Sequence, residues 1–254
     1  MTGKNTKRQR QKEQRRAKIE EEIKRAQAKR RRRSAINLTV VALVLGGTLF
    51  FIRSGNAKKD VAKPKVAGCS EVKPATTQTR IPKEPPPMTI DQAKKYTAVV
   101  ETSCGSIEIE LAAATSPNTV NSFVFLAKEG FYNGLTFYRI VKDFAVQGGP
   151  LGPGTKDSSY ETVDVPPPDF KYTKGVVAMA KGGGDPPGTG GSGFFIVPGD
   201  GAGILPPEYA VLGKVVKGDD ALAKLNSVPT ELRGNEKSSP IKPVYIVRIT
   251  IKES

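Results

Sequence analysis

Histidine is absent from the 254 residues, and so is tryptophan. Without histidine no Ser-His or Cys-His nucleophile pair can form, and no imidazole can hold a metal. The two cysteines are too few for a structural zinc site. Any catalysis must come from carboxylates, Arg, Lys, Tyr or backbone groups. Acidic residues are also scarce: 25 Asp and Glu face 40 Lys and Arg, a net charge of +15.

That excess is not evenly spread. Residues 1–34 hold fifteen Lys or Arg against four Glu, a net of +11, so the other 220 residues share only +4. The basic character belongs to a tail. Residues 4–33 read as a basic helix whose apolar stripe is limited to Ile19 and Ile23. Such a block is either a solvated tail or a contact for anionic lipid headgroups. Nucleic acid is the weaker partner, because no aromatic residue interleaves the charges to stack on bases.

Residues 35–52, A-I-N-L-T-V-V-A-L-V-L-G-G-T-L-F-F-I, carry no charge over eighteen positions. A helix of that length spans roughly 27 Å, close to the hydrocarbon thickness of a bilayer. The run predicts one transmembrane helix. Arg30 to Arg33 directly before it place the N-terminus in the cytoplasm and everything after Arg53 outside. The alternative is a cleaved signal peptide, for which Gly55-Asn56-Ala57 supplies small residues. Residues 53–94 are rich in Lys and Pro, including Pro85-Pro86-Pro87, and read as an extended linker.

From residue 95 to the C-terminus the texture is short strands and tight turns. Tyr96–Thr102 and Ser106–Leu111 read as a hairpin across Ser103-Cys104-Gly105. Ser116-Pro117 opens a helix, with Ser116 as its cap, and Gly130 ends it. A second helix fits Asp219–Leu225. Many strands and two helices argue for a closed β-barrel with helical caps. Cys69 and Cys104 both fall outside the expected membrane, where an oxidising compartment favours a disulfide; two free thiols are the alternative.

The loop Gly188-Thr-Gly190-Gly-Ser-Gly193 matches G-x-G-x-x-G, but a dinucleotide fingerprint must open a helix. The strand-like Phe194-Phe195-Ile196-Val197 follows instead, so the loop reads as a flexible surface rim.

The informative run is F-Y-R-I-V-K-D-F-A-V-Q-G-G, from Phe137 to Gly149. It places Arg139 within an apolar strand, where an unpaired guanidinium is costly to bury. Three other blocks accompany it: S-P-N-T-V-N-S-F (116–123), G-V-V-A-M-A (175–180) leading to S-G-F-F-I (192–196), and I-L-P-P-E-Y-A-V-L-G-K-V (204–215). Together and in this order they resemble cyclophilin-type peptidyl-prolyl isomerases, in a membrane-anchored bacterial-like form, over nearly all of residues 95–254.

The resemblance implies a mainly β fold, a closed antiparallel eight-stranded barrel capped by two helices. It implies proline-containing polypeptides as substrates and no cofactor. It makes Arg139 the catalytic residue and Gln147 a contact for the substrate backbone. Phe144, Phe195 and Leu205 become the walls of a proline pocket, with Met179, Ala180 and Tyr209 beside it. This chain has Ala145, Lys181, Gly193, Ile204 and Tyr209 where the family usually has Met, Asn, Gln, Trp and His. The expected function is prolyl isomerisation assisting the folding of extracytoplasmic polypeptides. A proline-binding chaperone or scaffold with little turnover is the alternative.

Overall fold

A computed structural model of the chain describes residues 68–70, 83–150 and 160–254. The basic tail 1–34 and the apolar run 35–52 lie outside the described residues, as does most of the linker. Among the described residues no helix is long and apolar enough to cross a membrane.

The chain builds its sheet by period-2 burial. β1 (Tyr96–Thr102) turns in Tyr96, Ala98, Val100 and Thr102, while β2 (Gly105–Leu111) turns in Ile107, Ile109 and Leu111. The turn between them needs Gly105, whose φ of +126° is closed to residues with a Cβ. The ladder continues with β3 (Thr136–Val141), β4 (Ala145–Gly149), β6 (Val176–Met179), β8 (Phe194–Ile196), β9 (Val211–Lys217) and β12 (Ile246–Glu253). These eight strands are ordered β12-β1-β2-β9-β6-β8-β4-β3, and each neighbouring pair is antiparallel.

Eight antiparallel strands were expected, but the expected closure is not made. β3 meets the residues leading into β12 through the isolated bridge Thr136↔Tyr245 and a few backbone bonds, such as Phe137 N–H to the Val244 carbonyl at 2.8 Å. Pro243, lacking an N–H, cannot extend the seam. The rest of the β3 flank is taken by a hairpin of β10 (Thr230–Arg233) and β11 (Glu236–Pro240). The sheet is a curled half-barrel.

Helix α1 (Pro117–Lys128) packs Val120, Phe123, Val124 and Leu126 inside the curl, and α2 (Asp219–Asn226) buries Ala221, Leu222 and Leu225. Ser116 sits at the start of α1 but makes no capping bond through its side chain. A distant residue replaces it. The Asp164 carboxylate accepts the Thr119 N–H at 2.7 Å and the Asn118 amide at 3.0 Å. The two-residue strands β5 (Thr162–Val163) and β7 (Thr189–Gly190) pair beside it. The glycine loop is therefore not a free rim: Thr189 and Ser192 are buried, and the Gly188 N–H donates to the Glu208 carbonyl at 2.7 Å.

The last linker residues lie on α1. Asn121 accepts the Thr89 N–H at 2.9 Å and donates to the carbonyls of Pro86 and Pro87, and Ile90 is buried. Farther upstream, Cys69 is joined to Cys104, and Ser70 N–H donates to the Ser103 carbonyl at 2.7 Å.

Strands β4, β6 and β8 are covered on both faces. Inside the curl lies a large cluster that includes Phe123, Tyr132, Phe137, Val177, Phe194 and Ile196. On the outer face lies a small one of Ala145, Tyr172, Val176, Ala178, Phe195 and Val197, with Ala202 beside them.

Candidate active site

The outer cluster is the floor of a cleft. A bulge in the β3–β4 register between Phe137 and Arg139 keeps Phe137 and Ile140 in the core while Tyr138 and Arg139 are only partly buried. Cross-strand pairing then sets a row over four strands: Arg139 opposite Gln147, Gln147 opposite Phe195, and Phe195 opposite Ala178. The glycines after Gln147 permit close packing of this region. Gly149 has φ +119°, and a Cβ there would come within 2.9 Å of the Gly193 Cα.

The Arg139 guanidinium is held on three sides. Nε donates to Glu236 Oε2 at 2.8 Å and Nη2 to Glu236 Oε1 at 2.7 Å. Nη1 donates to Gln147 Oε1 at 3.3 Å, and Cζ lies 5.8 Å from the centre of the Phe144 ring. Gln147 is itself oriented, donating Nε2–H to the Tyr138 hydroxyl at 2.7 Å. Hydrogen bonding from Arg139 holds the Glu236 carboxyl below its usual range.

Beside the guanidinium opens a cleft of about 270 Å³, lined by Phe144, Ala145, Phe195, Leu205 and Tyr209 as its apolar and aromatic wall, with Ala180 and Lys181 at one end. Its wall is braced by edge-to-face rings: Phe195 and Tyr209 lie 5.5 Å apart at 89°, and Tyr172 and Tyr209 lie 5.9 Å apart at 83°. The buried Tyr172 hydroxyl donates to the Tyr209 carbonyl at 2.7 Å and accepts the Tyr209 N–H at 2.9 Å. Burial pushes its pKa up to about 12. Lys181 brings a cation to the cleft, but Nζ is 3.3 Å from the Glu208 carboxylate and donates to the Asp185 carbonyl.

A small apolar cleft with one fixed guanidinium on its rim suits a ring-shaped apolar group joined to a polar backbone. The family model for cyclophilin type peptidyl-prolyl cis-trans isomerase/CLD matches residues 97–251. The chain belongs to this family. It is similar to a peptidyl-prolyl cis-trans isomerase of Acinetobacter baylyi, 33% identical over 159 residues that cover 60% of this chain and 84% of the relative. An isomerase of Helicobacter pylori is 40% identical over 129 residues, covering 50% of this chain and 77% of the relative. A crystal structure of a cyclophilin-type isomerase from Cryptosporidium parvum superposes with a TM-score of 0.56 at 28% identity, covering 62% of this chain and 98% of that one. The same Cryptosporidium protein has also been solved in the presence of the dipeptide Ala-Pro. The chain is a peptidyl-prolyl cis-trans isomerase.

The cyclophilin cleft brings together Arg139, Phe144, Gln147, Ala180, Phe195, Leu205 and Tyr209. Met179 is not among its lining residues. It is 2% exposed and packs in the large inner cluster, because alternation along β6 sends Val177 and Met179 inward and Val176 and Ala178 outward. Ile204 is 85% exposed at the end of a short 3-10 turn (Gly201–Ile204). Sequence reasoning missed Glu236 and Tyr138. Tyr138 was legible as the neighbour of Arg139. Glu236 carried no signal, since β10–β11 has no apolar alternation.

Proposed function

We propose that this cyclophilin isomerises X-Pro bonds in polypeptides outside the cytoplasm, tethered to the membrane by residues 35–52, with Arg139 as the catalytic donor. The observation that carries the chemistry is the fixed guanidinium at the rim of an apolar cleft. The C–N bond of the planar amide has partial double-bond character and a rotation barrier of about 18–20 kcal/mol. As the bond twists, the prolyl nitrogen recovers its lone pair and can accept a hydrogen bond that it cannot accept in the ground state. A donor aimed at that nitrogen is thus selective for the transition state. A guanidinium suits the task because it stays charged at any working pH.

Phe144, Phe195, Leu205 and Tyr209 hold the proline ring while the preceding carbonyl swings. Gln147 orients the substrate backbone. No nucleophile and no general base takes part, in keeping with a chain that lacks histidine.

The placement outside the cytoplasm is supported by Arg30–Arg33 ahead of the apolar run and by the Cys69–Cys104 bond, which suits an oxidising compartment. The basic tail would then rest on anionic lipid at the inner leaflet. Two measurements test the proposal. Arg139→Ala should lower kcat/KM for a Pro-containing tetrapeptide at least about tenfold, a loss of roughly 1.4 kcal/mol of transition-state stabilisation, with unchanged circular dichroism. Parental turnover in that variant would remove Arg139 from the mechanism. Protease added to intact cells should release the isomerase domain; protection until the membrane is opened would reverse the topology.

A further inference from the structure

The carboxylate that faces Arg139 belongs neither to the cleft wall nor to the eight-stranded ladder. Glu236 stands on β11, in the hairpin that lies along β3. Its two oxygens accept from Nε and Nη2, in the two-point geometry that best matches a guanidinium. The carboxylate also bonds with Ser238, a residue buried at 1% exposure, so its own orientation is anchored in the hairpin.

An Arg side chain has four torsions and loses much rotamer freedom when it is fixed. Of its five N–H groups, Glu236 takes two on the Nε/Nη2 edge and Gln147 takes one from Nη1. One hydrogen on Nη1 and one on Nη2 remain. Arg139 and Gln147 both line the cleft, so these unused hydrogens sit at its rim.

We infer that Glu236 is a positioning residue for the isomerisation, fixing the plane of the Arg139 guanidinium so that one of its free Nη–H groups faces the prolyl nitrogen. This rests on the reading of Arg139 given above. The hairpin thereby becomes part of the enzyme's machinery. The pair contributes little to folding, because both side chains are partly exposed, at 28% for Arg139 and 44% for Glu236. Its effect is on turnover, since a donor misplaced by an ångström loses much of its rate advantage.

The test compares the full chain with Glu236→Ala, Glu236→Gln, Arg139→Ala and the double variant Arg139→Ala/Glu236→Ala. Each is assayed on a Pro-containing tetrapeptide by NMR exchange, which separates kcat from KM, and by thermal unfolding. Glu236→Ala should lower kcat about 5- to 20-fold with KM within about twofold and an unchanged unfolding midpoint. Glu236→Gln, which keeps one acceptor oxygen, should recover part of the loss. The double variant should be no slower than Arg139→Ala alone, because a positioning residue has nothing left to position. Parental kcat in Glu236→Ala, or an independent further loss in the double variant, would overturn the inference. If Arg139→Ala is slow and Glu236→Ala is not, this inference alone falls. If Arg139→Ala turns over like the parent, the reading of Arg139 falls first and takes Glu236 with it.

Discussion

Replacing Tyr172 with Phe removes one oxygen atom and should change how stability depends on pH. The Tyr172 ring is fully buried, and its hydroxyl makes two bonds to the Tyr209 backbone, at 2.7 Å and 2.9 Å. Their loss leaves a carbonyl and an N–H under the cleft without these partners, at a cost of about 2–3 kcal/mol near neutral pH. The second effect has the opposite sign at high pH. Burial raises the tyrosine pKa to about 12 in the folded protein, from an ordinary value of 10. Below 10 both states hold the proton, so stability is unaffected. Above 10 the unfolded chain ionises first, binds fewer protons than the native state, and draws the equilibrium toward unfolding by up to about 1.4 kcal/mol per pH unit. By pH 11.5 this amounts to about 2 kcal/mol in the parent and nothing in the Phe variant. The parent's advantage should therefore be constant from pH 7 to 9 and nearly gone by 11.5. Urea unfolding of both proteins across that range measures it, and other titrating groups cancel in the difference. An advantage that stays constant to pH 11.5, or that is absent at pH 7, would refute the description of this hydroxyl.

Two further perturbations address the supports of the cleft. Asp164→Ala should destabilise the domain by about 1–2 kcal/mol, because the N–H of Thr119 at the start of α1 loses its acceptor; Asp164→Asn should retain most of it, and a change below about 0.3 kcal/mol in chemical denaturation would show that the cap is dispensable. Cys69→Ala opens a link with a sequence separation of 35 and should cost about 2–4 kcal/mol, matched by adding reductant to the parent; reductant that further destabilises Cys69→Ala would contradict the assignment of the effect to this bond.

The parts of this fold legible in the sequence are those whose signal is local. β1 falls on the expected Tyr96–Thr102 because one face alternates cleanly, and α1 follows Pro117 with a regular apolar stripe. The parts that were not legible depend on partners far along the chain. Asp164 caps a helix 45 residues earlier, where Ser116 held the conventional position without using it. Met179 was placed beside the pocket by the resemblance alone; β6, V-V-A-M, is buried on both sides, and an unbroken apolar run does not say which face a residue takes. Closure of the barrel depended on whether β3 met β12, and Pro243 and the β10–β11 hairpin decided that. The cleft itself was largely legible because its residues sit in four contiguous blocks. Its electrostatics were not, since Glu236 lies 97 positions from Arg139.

The double covering of β4, β6 and β8 separates two kinds of tolerance to change. Odd and even positions along these strands serve different interiors, so a substitution can enlarge or recolour the cleft without reaching the side chains that hold the sheet to α1. Three of the residues that set this chain apart follow that partition: Ala145 and Tyr209 pack in the outer cluster, Lys181 lines the cleft, and none of the three belongs to the inner one. A side-chain change on the outer face of these strands meets the cleft and one on the inner face meets α1, with a single layer of sheet between them.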